Sequence, residues 1–346
     1  MKVWIDICHT PQFNFFKPLI EELAARGHEV YVTVLDRGKT PGIVRAELDG
    51  FEHVCVEVIG KHRMTKWSAI WDANLVRTCK LIKWAKKKKI NIAISTNIFT
   101  PLVGGVFGMR SYSFGDDPQV WDFNPKGWLS TKSYQTLYEW TLPQNQPKHT
   151  EVLKCLKEWA YLNPRTFQPN VKVLEKYGVK PKEYMFLREV TVGTVNYAGQ
   201  ESGAILGIKD MIPVGMKVLF SLEEKKRRDE YPDSWILLQE PIEDIHSLIY
   251  YSAGLVSSGD SMAREAALLG VPAYYLGIRY SMPANAAASK VASLQNQKTE
   301  SFERWIDNLG AESQESRVKS QEELRKHIDE SFIDINEYML NLIEQK

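Results

Sequence analysis

The stretch Ala253–Gly277, AGLVSSGDSMAREAALLGVPAYYLG, contains a strand, a turn of small residues, a helix and the start of a second strand. The apolar run Ala253–Val256 predicts a buried strand, and Met262–Leu269 predicts a helix. Gly270 suits the left-handed residue that ends a helix, and Pro272 cannot continue one. This order of elements is typical of α/β folds with parallel sheets.

The turn before this helix is a candidate phosphate-binding site. Backbone N–H groups at the start of a helix have no intrahelical partner, so they attract anions. A diphosphate could contact Ser261 and the Met262 amide in the turn that includes Gly259, while a ribose contacts Glu265 one helical turn later. The alternative is an ordinary helix cap, because small polar residues cap helices in general, and the Asp260 carboxylate would repel an anion.

Length and composition limit the classes of protein. A chain of 346 residues exceeds what one hydrophobic core usually serves, so we expect two domains. A net charge of +1 excludes the strongly basic class of dedicated nucleic-acid binders. The four cysteines have no C-x-x-C spacing, which favours reduced thiols. The sequence shows neither a signal-peptide pattern nor an apolar run of about 20 residues, so a cytoplasmic location is predicted.

The first residues predict a β-α-β unit. Val3–Cys8 reads as a buried strand, Asn14–Arg26 as a helix and Glu29–Val34 as the next strand. Such units form parallel sheets with right-handed crossovers, and ligands collect outside the carboxyl ends of the strands. The loop Asp6–Asn14 is therefore expected to face a cleft.

Four polar residues are candidates for the rim of that cleft. Thr10 and Asn14 belong to the first loop, and Asp116 and Asp117 follow the predicted strand Ser111–Phe114. Paired acids could bind a metal or act as a base, or they could simply form a turn. Without a third ligand at suitable spacing, no metal site is predicted.

Two basic features have both a functional and an ordinary interpretation. Arg188 ends a predicted strand, where its guanidinium could bind a phosphate bidentately or form a surface ion pair. The lysines of Lys80–Lys89 either form a solvated helix end or, with three tryptophans, a weak peripheral contact with an anionic membrane. These tryptophans are Trp67, Trp71 and Trp84.

The α/β pattern starts again after an irregular segment, Asp122–Pro169. We therefore predict two Rossmann-like parallel-sheet domains that face a cleft. The first covers residues 1–165 and the second residues 166–325. Residues 326–346 are predicted to form a terminal helix that packs back on the first domain.

Short motifs over nearly the whole chain carry a resemblance to a known family. They are W-I-D-I at Trp4–Ile7, T-P at Thr10–Pro11, F-F-K-P at Phe15–Pro18, R-G-H-E-V at Arg26–Val30, I-G-K-H at Ile59–His62, K-E-W-A-Y-L at Lys157–Leu162, F-L-R at Phe186–Arg188 and S-M-A-R-E-A-A-L-L-G-V-P at Ser261–Pro272. The chain resembles a family of uncharacterised predicted glycosyltransferases with the GT-B fold. Relatives of that family include nucleotide-sugar 2-epimerases and the lipid-linked glycosyltransferase of peptidoglycan synthesis.

The resemblance implies a donor site in the second domain and an acceptor site in the first. The donor would be a nucleotide sugar, expected to be uridine-linked, with Ser261 and Met262 on its diphosphate, Glu265 on its ribose and Arg188 on a phosphate. The acceptor would be a cell-surface polysaccharide or a glycolipid. Enzymes of this type need no metal or other cofactor.

The sequence departs from the family pattern at three places, the mildest of which is Ser261 in place of a threonine. Gln12 stands where the family has a histidine after Thr-Pro, so His9, assisted by Asp6, is the predicted base. Asn196 and Tyr197 stand where relatives carry His-Asp. The leading hypothesis is a glycosyltransferase. The alternatives are an enzyme like the nucleotide-sugar 2-epimerases and a non-catalytic nucleotide-sugar-binding partner of a transferase.

Overall fold

The computed structural model describes residues 1–61, 75–116, 129–139, 150–192, 197, 199–311 and 313–345. The chain forms two compact units. Unit 1 contains Met1–Tyr161 and Phe332–Lys346, and unit 2 contains Leu162–Ser331. The divisions thus fall after residues 161 and 331, whereas the sequence predicted them after residues 165 and 325.

Unit 1 contains a parallel sheet with α-helices between its strands. Its strands are β1 (Lys2–Ile7), β2 (Glu29–Asp36), β3 (Val54–Lys61), β4 (Ile92–Ser95), β5 (Arg110–Gly115), β6 (Lys132–Thr136) and β7 (Thr150–Leu153). Its helices include α1 (Thr10–Ala25), α2 (Thr40–Glu47), α3 (Arg77–Lys88) and α4 (Phe99–Phe107), and α5 (Trp159–Leu162) crosses the division between the units. The strand order β3-β2-β1-β4-β5-β6-β7 is the order of Rossmann folds with a seventh strand added.

The core of unit 1 forms because β1 is apolar on both faces. Val3, Trp4 and Ile5 are fully buried, as expected of a central parallel strand covered by helices on both sides. Trp84 of α3 is also buried, with its ring centroid 5.4 Å from that of Trp4. Trp84 therefore cannot join the α3 lysines in the membrane-facing patch considered from the sequence, and Trp67 and Trp71 lie outside the described residues.

Unit 2 repeats the architecture of unit 1. Its strands are β8 (Tyr184–Glu189), β9 (Lys217–Leu222), β10 (Ile236–Leu237), β11 (Gly254–Ser257), β12 (Ala273–Tyr275) and β13 (Gln295–Asn296), all parallel in the order β10-β9-β8-β11-β12-β13. Its α-helices include α6 (Ile245–Tyr250), α7 (Asp260–Leu268), α8 (Pro283–Ala292), α9 (Phe302–Ala311) and α10 (Gln314–Ser331). The predicted fold class of two Rossmann-like parallel-sheet domains is thus confirmed.

The last helix, α11 (Ile335–Glu344), returns the chain to unit 1. The Asp334 side chain caps it by accepting hydrogen bonds from the amides of Asn336 and Glu337. Asn336 Nδ2 donates to the Ala160 carbonyl at 2.7 Å. The face of α11 that contains Ile335, Met339, Leu340 and Ile343 is buried.

Several elements of the chain are short. Val171–Tyr177 and Leu206–Met211 are 3₁₀ helices, and the edge strand β10 contains only Ile236 and Leu237. The segment predicted to be irregular contains β6 and β7. Among the described residues, no helix combines the length and apolarity needed to cross a bilayer.

Candidate functional site

The carboxyl end of the unit 2 sheet has a topological switch point between β8 and β11. These strands are neighbours, with Arg188 in register with Ser257, and the chain leaves them toward opposite edges of the sheet. Ligands of open α/β sheets bind at such points. The small-residue turn before α7 begins here, so the fold puts the predicted donor turn where a ligand is expected.

Contacts with Val190 and Gln200 fix this turn. The Val190 amide donates to Ser258 Oγ at 2.9 Å, and Gln200 Nε2 donates to the Ser258 carbonyl at 2.9 Å. A Cβ atom on Gly259 would lie 2.6 Å from Val190 Cγ1, so only glycine fits without a shift. Gly259 is the N-cap residue of α7, with extended backbone. Its role is therefore close packing of the turn.

The Asp260 carboxylate at the start of α7 is buried and neutralised. Its Oδ2 lies 3.0 Å from Arg279 Nη1 and 3.4 Å from Arg264 Nη1. The Tyr197 hydroxyl donates to Oδ1 at 3.3 Å, and burial together with the Asp260 charge raises the pKa of this phenol. The repulsion of anions expected from Asp260 is thus offset by two guanidinium groups. No local sequence pattern marks Arg279, because it lies 19 residues further along the chain, in the loop after β12.

Three predicted donor residues lie within the first two turns of α7. Ser261 and Met262 are partly exposed in the first turn, next to Gly259. Glu265 is nearly buried, and its Oε2 lies 3.6 Å from Nε2 of His246 on α6. The structure therefore places these three predicted residues on one helix, directly after its N-cap Gly259, and adds His246, which no sequence pattern marks.

The side chain of Arg188 contacts two residues at the carboxyl end of β9. Its Nη1 donates to Ser221 Oγ at 2.9 Å and its Nη2 to Glu223 Oε1 at 2.5 Å. The second carboxylate oxygen of Glu223 accepts a hydrogen bond from the Thr191 amide at 2.8 Å. These contacts match the ion-pair interpretation of Arg188, and its binding of a phosphate stays a prediction.

Unit 1 contains a buried ion pair at its own switch point, between β1 and β4. Asp6 Oδ1 lies 2.6 Å from Arg77 Nη2, and Oδ2 lies 2.9 Å from Arg77 Nη1. Asn97 Nδ2 donates to Oδ2 at 2.8 Å, and the Thr33 hydroxyl donates to Oδ1. Both oxygens of Asp6 are thus engaged by donors other than His9. These contacts give Asp6 a structural role, and its assistance to His9 stays a prediction.

Gln12 closes the loop between β1 and α1. Its side-chain Oε1 accepts a hydrogen bond from the backbone amide of Cys8 at 2.7 Å. Its backbone amide donates to the His9 carbonyl at 3.1 Å. These two contacts hold the Gln12 side chain in the loop. The helix begins at Thr10, four residues earlier than predicted, so Thr10 and Asn14 lie on α1.

His9 lies at the N-cap of α1 and is surrounded by charges. Burial, with help from the positive charges of Lys157 and Arg37, lowers its pKa to about 4, while Asp116 opposes the shift. Lys157 forms an ion pair with Asp116 just after β5. At neutral pH the imidazole is therefore uncharged and able to accept a proton, although it is a weak base. Asp117 and Asn196 lie outside the described residues.

Within the described ranges, no group of three or more His, Cys, Asp or Glu side chains is placed to hold a metal ion.

The comparisons with known proteins agree with this architecture. Residues 1–111 match a family described as a protein of unknown function, DUF354, which confirms the resemblance to an uncharacterised family over this segment. Among functionally curated proteins, none is similar to the chain in sequence.

Solved structures of similar fold cover essentially the whole chain. One is a spinosyn rhamnosyltransferase complexed with spinosyn aglycone, at 13% identity and a TM-score of 0.63, with 100% of both chains covered. A second is the glycosyltransferase VinC in complex with dTDP, at 12% identity and a TM-score of 0.63, with 99% of this chain and 98% of VinC covered. A third is the UDP-GlcNAc 2-epimerase from Neisseria meningitidis bound to UDP-GlcNAc, at 12% identity and a TM-score of 0.65, with 100% of both chains covered. The fold is thus of the GT-B type.

Proposed function

We propose that the protein is a glycosyltransferase that takes its sugar from a nucleotide-sugar donor held by unit 2. The observation that carries this proposal is the start of α7, where Asp260 is neutralised by Arg264 and Arg279 at the switch point of a Rossmann-like sheet. Helix N-termini in this position bind diphosphates. Ser261 and the Met262 amide are proposed to hold the diphosphate and Glu265 the ribose.

The acceptor is proposed to bind at the carboxyl end of the unit 1 sheet. His9 is proposed as the general base that removes the proton of the acceptor hydroxyl as the sugar transfers. The leaving diphosphate gains negative charge in the same step, and the positive end of the α7 dipole stabilises it. A uridine-linked donor and a cell-surface polysaccharide or glycolipid acceptor are proposed from the family resemblance alone, as is the absence of a cofactor. The cytoplasmic location predicted from the sequence is proposed as well.

One observation favours a second candidate, a non-catalytic nucleotide-sugar-binding protein. A general base works best with a pKa near the working pH, and the pKa of His9 is lowered to about 4. Asp6 and Gln12 are both engaged in structural contacts. A protein that binds the donor without turning it over would have this combination. The solved epimerase leaves the 2-epimerase hypothesis as an alternative of the same fold.

Nucleotide binding and turnover should be measured separately. We expect UDP or a UDP-sugar to raise the thermal unfolding temperature of the protein and Glu265→Ala to abolish that shift. As the control, Glu300→Ala changes a carboxylate elsewhere in unit 2. Release of UDP from a donor panel would support the transferase, and conversion of UDP-GlcNAc to its 2-epimer would support the epimerase. Binding without either product favours the non-catalytic protein, and no stabilisation by any nucleotide contradicts all three.

A further inference from the structure

Helices α3 and α4 lie side by side on one face of the unit 1 sheet. They connect β3 to β4 and β4 to β5, so both crossovers run toward the same edge of the sheet. Because such crossovers are right-handed, both helices cover the same face. Trp84 and Ala85 of α3 pack with Phe99 and Val103 of α4 in one buried cluster. The outward sides of the two helices are therefore neighbours, and together we call them the α3–α4 surface.

The α3 part of this surface is strongly basic. A spacing of three and four residues puts four exposed lysines on the outward side of the helix. They are Lys80, Lys83, Lys86 and Lys87. The sequence of α3, RTCKLIKWAKKK, contains no acidic residue, and of its lysines only Lys88 forms an ion pair within the part of the chain that the structure describes. Since like charges at this spacing repel each other on a helix, an anionic partner would stabilise this face.

The α4 part of the surface is apolar. The sequence of α4, FTPLVGGVF, contains no charged residue. Val106 is 60% exposed and Phe107 is 40% exposed in its last turn. Leu75 and Val76, directly before α3, are 54% and 39% exposed. Apolar side chains thus lie in solvent close to the lysines, at the start of α3 and at the end of α4.

We propose that the α3–α4 surface binds the surface of an anionic lipid bilayer. The lysine ammonium groups would contact lipid phosphates, while their aliphatic stems lie along the apolar side chains. Val106 and Phe107 would enter the headgroup region, the apolar role that the buried Trp84 cannot fill. An anionic polymer would need the lysines alone and would leave the apolar residues in water. The inference goes beyond the proposed function, because it involves no nucleotide.

Co-sedimentation of the full chain with lipid vesicles tests this inference. We expect binding to vesicles of phosphatidylcholine and phosphatidylglycerol in a ratio of about 7:3, and little binding to phosphatidylcholine alone. Replacing all four lysines by glutamine should weaken binding about tenfold or more, and Val106→Ser about threefold. Replacing the four lysines by arginine keeps the charge and should leave binding unchanged.

Matched controls come from unit 2. Four of its exposed lysines are replaced by glutamine together, so the net charge changes by the same amount. They are Lys172, Lys176, Lys180 and Lys319. Val214 is fully exposed, so Val214→Ser is the control for Val106→Ser. Both controls should bind the anionic vesicles like the wild-type protein.

The outcomes are distinct from those for the proposed function, since nucleotide binding is measured without vesicles. Wild-type protein that does not bind the anionic vesicles overturns the inference. Equal loss of binding in the two sets of lysine variants would mean attraction by net charge alone, and the inference is then wrong. If Val106→Ser binds like the wild-type protein and double-stranded DNA displaces the vesicles, the surface binds anionic polymers instead. The single change Val106→Ser keeps the test decisive should the variant with four glutamines fail to fold.

Discussion

At the scale of single residues, each sheet has a buried aspartate at its switch point, and the two aspartates have different partners. Asp6 of unit 1 is held by Arg77, Asn97 and Thr33, so its charge serves the packing of β1 and α3. Asp260 of unit 2 shares its charge with an accessible arginine. Both side chains of the first ion pair are fully buried, whereas the Arg279 side chain of the second is 21% exposed. The sequence indicates both aspartates, but Arg77 and Arg279 lie 71 and 19 residues away from them, beyond the reach of local patterns.

The low pKa of His9 predicts an acid-sensitive contribution to stability. Burial and the positive charges of Lys157 and Arg37 lower the pKa in the folded protein from 6.5 to about 4. As the pH falls from 6.5 toward 4, the unfolded chain binds a proton at His9 that the folded protein does not. The free energy of unfolding should therefore fall over this range, by at most about 1.4 kcal/mol per pH unit from this residue.

Urea denaturation between pH 7 and pH 4 measures this effect. His9→Gln removes the titrating group, so the variant should lose less unfolding free energy on acidification than the wild-type protein. His327→Gln, at an exposed position of α10, is the control and should follow the wild-type curve. Identical pH dependence of wild-type protein and His9→Gln would show that His9 titrates normally.

At the scale of elements, the patterns predicted apolar strands well and polar strands poorly. β1 and β11 were found because their residues are apolar on both faces. β6 was missed because its sequence, KSYQT, is mostly polar, although four of its five residues are buried between β5 and β7. The neighbouring strands, rather than local propensity, determine that it is a strand.

The two glycines that flank α7 should respond differently to alanine. At Gly259 the added Cβ would lie 2.6 Å from Val190 Cγ1, so the turn has to move away from its position at the start of the helix. We expect Gly259→Ala to weaken nucleotide binding about tenfold or more. Val190→Ala removes the methyl group in contact and should restore part of the affinity in the double variant.

Gly270 provides the matched control for this prediction. Its φ is +73°, and a Cβ would lie 2.8 Å from the Gln321 carbonyl oxygen. Gly270→Ala should lower the free energy of unfolding by more than about 1 kcal/mol and leave the nucleotide affinity of the folded protein unchanged. Calorimetric affinities and denaturation curves of all variants check both effects. Equal loss of affinity in Gly259→Ala and Gly270→Ala would contradict the assignment of the turn.

At the scale of the whole molecule, unit 1 is formed by two separate segments of the chain. Unit 2 is inserted between Tyr161 and Phe332, and α11 completes unit 1. The amphipathic pattern of the last residues predicted a helix that packs back on the first domain, but the sequence does not mark the residue at which the chain leaves unit 2. The charged helix α10 belongs to unit 2, where Gln321 accepts a hydrogen bond from the buried Lys182 ammonium at 2.8 Å. That tertiary contact has no local sequence signal.

The membership of α11 in unit 1 predicts where a mutation in this helix acts. Met339 is fully buried, so Met339→Ala should lower the free energy of unfolding of unit 1 by about 2–5 kcal/mol. Amide hydrogen exchange read by mass spectrometry should then accelerate in peptides from β1 and β6. Peptides from β8 and β11 should exchange at the wild-type rate, because they belong to unit 2.

The exposed neighbour Asn341 supplies the control, since Asn341→Ala should change the free energy of unfolding by no more than about 0.5 kcal/mol. Equal acceleration of exchange in both units after Met339→Ala would mean that the molecule unfolds as one cooperative body. In that case α11 stabilises the whole chain instead of the unit it packs against. Acceleration confined to unit 1 would instead show that the last residues of the chain stabilise the unit formed by the first ones.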